Sequence, residues 1–130
     1  MDVPSEFRYS EDHEWALVDA TRAKIGIPDF AQDALGDVVF VRLPEAGAVA
    51  ARGDVIGEVE STKSVSDIYA PVSGRIVEVN TALGDAPERL NEDPYGQGWI
   101  CVVEMDSAAD LDALMDAASY TEFTSGSSGS

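Results

Sequence analysis

The sequence predicts a mainly β fold: two sheets packed as a flattened barrel or sandwich, with one short helix and a C-terminal helix. Three observations lead there. Short runs of β-branched and aromatic residues recur along most of the chain, each bounded by Gly, Pro or Asp. "GDVIGEV" (Gly53–Val59) resembles "GRIVEV" (Gly74–Val79), a weak hint of two related halves. Only near the C-terminus does a helical spacing of apolar residues replace the strand-like runs. With 130 residues, 45% hydrophobic and 25% charged, the chain can enclose one real core. A single domain over residues 1–122 is expected, followed by a disordered Ser/Gly tail at 124–130.

Each element has a local reason. "HEWALV" (His13–Val18) and "AKIGI" (Ala23–Ile27) read as strands joined by the polar stretch 19–22. Pro28 is expected in the first turn of a helix reaching Leu35, where a missing N–H costs nothing, and Gly36 stops it. "DVVFVRL" (Asp37–Leu43) is β-branched and aromatic, hence a strand. Turns at Pro44–Gly47 and Gly53–Asp54 lead to a strand over Asp54–Ser61, with Val55, Gly57 and Val59 on one face. Ser64–Tyr69 is its partner, 70–74 turns the chain, and Arg75–Asn80 is the next strand. Residues 81–97 read as loop with one helical turn near Pro87–Leu90, before a last strand over Trp99–Met105. Leu111, Leu114, Met115 and Ala118 follow an amphipathic spacing, with Ser107 and Asp110 as a capping box.

Composition narrows the function. A net charge of −17 disfavours nucleic acid and anionic membranes, whose recognition needs Lys and Arg. The acidity fits either a soluble surface or steering toward basic partners. No apolar run reaches the length of a membrane span, and the N-terminal stretch lacks a signal-peptide core. A cytoplasmic chain is the default expectation, a processed mitochondrial one the alternative. Cys101 is the single cysteine and sits in an apolar run, so a buried inert thiol is expected. With one histidine, His13, neither a metal cluster nor a Cys/His nucleophile pair can be assembled. Asp12, His13 and Glu14 lack a matching nucleophile, which disfavours an enzyme. No catalytic residue and no metal are expected. Trp15, Phe40, Tyr69 and Trp99 read as core or cleft walls, and Gly47, Gly53 and Gly74 as turn glycines with positive φ.

Lys63 stands out because Lys24 is the only other lysine. On spacing alone it is an ordinary solvated turn lysine. Its place between two paired strands, among Glu58, Glu60 and Asp67, also suits an attachment point: an exposed amine on a flexible stem at a stiff tip. Acylation would remove its charge, so those carboxylates are not there chiefly to pair with it.

"IGEVESTKSVSDIYAPVSG" (Ile56–Gly74) resembles the H proteins of the glycine cleavage system almost residue for residue. "HEW" (His13–Trp15), "IGIPDFAQDALGDVVFVRLPEAG" (Ile25–Gly47), "EVN" (Glu78–Asn80) and "LNEDPYGQGWI" (Leu90–Ile100) extend the resemblance over roughly residues 7 to 120. Pro28 departs from it, standing where a helix-capping Thr is common. The resemblance implies a non-enzymatic lipoyl-type carrier, monomeric, with lipoic acid on Lys63. The arm would take an aminomethyl group from a pyridoxal-phosphate glycine decarboxylase to a tetrahydrofolate-dependent aminomethyltransferase. A flavin dihydrolipoamide dehydrogenase would reoxidise it, and lipoylating enzymes would load it. Glu14 and Asp67 match acidic positions of the cleft that shelters the arm. A lipoyl relay protein, or a lipoyl domain serving a 2-oxoacid dehydrogenase complex, is the alternative. Met-Lys-Met of biotinyl domains and Asp-Lys-Ala of dehydrogenase lipoyl domains differ from Thr62-Lys63-Ser64.

Overall fold

Two antiparallel sheets pack face to face in the computed structural model, which describes residues 3–129, with side chains through residue 125. The first holds six strands: β1 (Arg8–Tyr9), β2 (Trp15–Asp19), β3 (Arg22–Gly26), β9 (Cys101–Met105), β8 (Gly74–Val79) and β5 (Val49–Ala50), in that spatial order. The second holds β4 (Val38–Arg42), β6 (Val55–Ser61) and β7 (Val65–Tyr69), with β6 central and β7 at one edge. Ile25, Ile76 and Val103 from one sheet meet Val41, Val59 and Ile68 from the other in a shared core, all almost wholly buried. Each such side chain contributes roughly 1.5–3 kcal/mol by leaving water. This is the mainly β architecture expected from the short, turn-punctuated runs.

A second cluster lies at one end of the six-stranded sheet, where Phe7, Tyr9, Trp15 and Tyr120 are buried together. Trp15 donates its indole N–H to the carbonyls of Ile27 and Pro94, at 3.1 and 3.0 Å, so its polar atom is satisfied inside. Its ring lies directly on Gly26, where any Cβ would collide with it.

β-bulges explain where simple alternation misleads. In β6 the register slips between Val55 and Gly57, so Ile56 and Gly57 are both buried and Val55 is exposed; the three residues expected on one face are not. In β4 a slip between Val38 and Phe40 turns Phe40 outward, 48% exposed, rather than into a core or cleft wall. β8 slips between Ile76 and Glu78. The bulges of β6 and β8 fall at the same offset from Gly53 and Gly74, the glycines that open the two similar segments.

Other segments also differ from expectation. The strand expected from His13 is β2 and starts only at Trp15, since His13 takes a left-handed φ of 66° in the bend before it. Pro28 is the N-cap of α1 (Asp29–Leu35), not its first residue; with no capping side chain of its own, the Tyr95 hydroxyl accepts the Asp29 N–H. The stretch 81–97 contains two short helices, α2 (Thr81–Asp85) and α3 (Arg89–Glu92), rather than one turn.

Near the C-terminus, Leu111 belongs to a 3-10 turn over Ala108–Ala113, and Met115 then bridges to Tyr9. The helix proper, α4 (Ala117–Gly129), starts later than the apolar spacing suggests. It takes in residues 124–129 of the Ser/Gly run expected to be disordered; Ser130 lies outside the described residues. Ser107 does cap the 3-10 turn, accepting the Ala109 N–H, but Asp110 does not complete a capping box: its carboxylate accepts the Ser73 N–H at 2.7 Å. Tyr120 stacks on Tyr9 with centroids 4.6 Å apart, which fastens α4 to β1.

Candidate functional site

The β6–β7 hairpin carries Lys63 at its tip. One hydroxyl stiffens the turn: Ser61 Oγ accepts the N–H groups of Lys63 and Ser64, at 3.2 and 3.1 Å, and lies 3.2 Å from the Ser64 carbonyl, to which it can donate. The backbone closes it further, because Ser61 N–H donates to the Ser64 carbonyl. Thr62 N–H donates to the carbonyl of Asp37, tying the tip to the chain just past α1. Lys63 itself is exposed.

Beside the hairpin lies a cleft of about 320 Å³. α1 supplies Phe30, Ala31, Ala34 and Leu35 to its walls, and β7 supplies Ser66, Asp67 and Ile68. Asp12, His13 and Glu14 close another side. Most of this lining is apolar, with carboxylates at Asp12, Glu14 and Asp67. The structure thus places Glu14 and Asp67, distant in sequence, on one cavity. Asp67 is exposed and stands across from Glu58 in the β6–β7 register.

Glu14 differs sharply from its neighbours, being only 2% exposed. Ser10 Oγ donates to one carboxylate oxygen at 2.6 Å, and the Tyr69 N–H donates to the other at 3.3 Å. Burial nevertheless dominates and pushes its pKa up to about 8; those two hydrogen bonds oppose the rise without cancelling it. His13 is held below its ordinary value by burial. Its Nδ1 and the Tyr120 hydroxyl are hydrogen-bonded at 2.8 Å, and its ring lies 5.1 Å from Phe30. His13 therefore joins α1, α4 and the cleft wall. Cys101 is fully buried, its thiol pushed up to about 12, and plays no part here.

Two further residues matter beside the hairpin: Gly36, read from the sequence only as the stop of a helix, and Asn91, which the sequence does not single out. Gly36, the C-cap of α1, has φ 79° and donates its N–H to the Gln32 carbonyl. Asn91 of α3 braces it, donating to the Gly36 carbonyl at 2.8 Å and to Gln32 Oε1 at 3.1 Å, and accepting the Val38 N–H at 2.9 Å. Nothing in "LNEDPYGQGW" signals this, because its partners lie more than 50 residues away. Trp99 lies under Lys24, whose ammonium is 5.4 Å from its ring, away from the cleft. Among the described residues there is no group of three metal-ligating side chains, and no helix long and apolar enough to cross a membrane.

Two facing sheets with a lone lysine at a hairpin tip beside an apolar cleft define a lipoyl-type domain fold. The particular family follows from comparison: the family model described as glycine cleavage H-protein matches residues 7–127. The chain belongs to that family. It is 53% identical over 122 residues to a glycine cleavage system H protein of Thermus thermophilus, covering 94% of this chain and 95% of that one. It is 54% identical over 120 residues to the namesake of Brevibacillus brevis, covering 92% and 95%. The crystal structure of a glycine cleavage system H protein from Mycobacterium marinum superimposes with a TM-score of 0.86 at 43% identity, covering 98% of this chain and all of that one.

Proposed function

We propose that this chain is the carrier of the glycine cleavage system. It takes an aminomethyl group, on lipoate joined as an amide to Lys63 Nζ, from glycine decarboxylase to the tetrahydrofolate-dependent aminomethyltransferase. It then presents the arm to dihydrolipoamide dehydrogenase for reoxidation. The observation that carries this reading is the lone hairpin-tip lysine beside a carboxylate-edged apolar cleft, in a member of this family. When attached, the lipoyl group supplies a disulfide that accepts the one-carbon fragment and a thiol that holds it.

The residues present fit that group. Ile27, Phe30, Leu35, Val59 and Ile68 offer an apolar bed for an aliphatic chain, and the carboxylates of Glu14 and Asp67 can meet a terminal ammonium. The cleft's apolar lining would keep water from a loaded arm. Glu14 holds its proton near neutrality while no cation is beside it. An arriving ammonium favours the charged carboxylate and lowers that pKa, so occupancy and proton release are coupled. Lys63 contributes reach: its exposed amine is open to a lipoylating enzyme, and its stem allows the arm to leave the cleft for each partner. The carrier makes and breaks no bonds itself; that chemistry belongs to the partners' active sites, and encounters with them are brief.

Intact mass after exposure to a lipoylating enzyme tests the attachment, with Lys63→Arg as control. The wild type gains one lipoyl group and the variant none. A folded Lys63→Arg protein that still supported glycine breakdown with the cognate enzymes would overturn the assignment.

A further inference from the structure

The lysine stem does not stand free in solvent. A Cβ placed on Gly36 would lie 3.3 Å from Lys63 Cε, 3.4 Å from Cδ and 3.7 Å from Cγ. Three successive methylene carbons therefore run across the bare face of Gly36. The residues just before it in α1, Ala34 and Leu35, already line the cleft. The stem thus leaves the hairpin and lies against the C-cap of α1, next in sequence to two residues of the cleft wall.

This crossing point is held from two sides. Asn91 fixes the Gly36 carbonyl and the start of β4 together. The Thr62 N–H fixes the hairpin tip to Asp37, the next residue along. A glycine cap alone would need neither the stem contact nor the tie to the hairpin. We propose that Gly36, braced by Asn91, is a saddle that steers the modified Lys63 toward the cleft. Both are positioning residues; neither touches the reacting atoms. At the saddle, any side chain on residue 36 pushes the stem outward and lets the arm spend more time in solvent. Loss of the Asn91 brace frees the saddle to move and does the same without adding an atom. This inference rests on Lys63 being the lipoyl anchor.

Two measurements test it. In the unmodified wild-type chain, NMR should show nuclear Overhauser contacts between the Gly36 Hα protons and the Lys63 γ, δ and ε methylenes; their absence overturns the saddle. In the lipoylated chain, the reduction rate of the arm's disulfide by a neutral water-soluble phosphine reports its exposure. Gly36→Ala and Asn91→Ala should each raise that rate threefold or more. The far-ultraviolet circular dichroism of each variant confirms folding, and Asn91→Ala alone decides if Gly36→Ala, strained at φ 79°, does not fold. Wild-type rates in a folded variant defeat the steering role and leave the carrier reading intact. A wild-type chain that takes up no lipoyl group defeats the carrier reading and this inference with it.

Discussion

Replacing Glu14 with Gln removes a titration from the protein interior at almost constant shape. Glu14 is 2% exposed, and burial raises its pKa from an ordinary 4.5 to about 8. The folded value lies above the unfolded one, so the native state keeps a proton that the unfolded chain gives up between pH 4.5 and 8. Stability due to this group is therefore fully present below pH 4.5 and falls as pH rises toward 8, by about 1.4 kcal/mol per pH step. Over the whole window the loss is on the order of 5 kcal/mol, a large part of the 5–15 kcal/mol typical of a domain. Urea unfolding of wild type and Glu14→Gln at pH 5, 6, 7 and 8 isolates it, because every other carboxylate titrates in both proteins. The difference in stability between the two should shift against the wild type by roughly 1 kcal/mol per step. Parallel curves would refute the reasoning, showing that water or relaxation keeps Glu14 an ordinary acid.

Other consequences can be measured separately. Glu14→Ala should speed loss of ammonia from the loaded carrier, about tenfold if the carboxylate contact is worth ~1.4 kcal/mol; an unchanged decay rate would remove Glu14 from the sheltering role. Transfer rates with the partner enzymes should fall as salt rises, since a chain of net charge −17 depends on screened long-range attraction; stopped-flow measurements from 20 to 500 mM salt, about a fivefold change in screening length, would reveal it. Gly26→Ala should cost about 2–3 kcal/mol, because the new Cβ collides with the buried Trp15 indole, and chemical denaturation reads that directly.

Features set by neighbouring residues were readable from sequence. The turn at Thr62–Lys63 follows from hydroxyl residues between two β-patterned runs, and Gly36 ends α1 where a glycine ends helices. Features set by remote contacts were not. That Glu14 accepts the Tyr69 N–H, 55 residues away, depends on how two sheets meet and leaves no mark on either local sequence. Phe40 faces outward because a bulge, which leaves no mark in the continuous apolar run "VVFV", reverses which face a side chain occupies. The C-terminal helix starts later than its apolar spacing suggests for a different reason: Met115 pairs with Tyr9, and that bridge splits one apparent helical pattern into a turn and a later helix.

β7 ends its sheet with no strand beyond it among the described residues, and such an edge is a template on which another copy of a chain can zip itself. Glu14 blocks it at Tyr69, and Asp67 stands midway along it, opposite Glu58. Two copies approaching edge to edge would bring like charges together before any ladder could form. Acidity along this edge thus acts as insulation, keeping one copy of the chain from zipping onto the next.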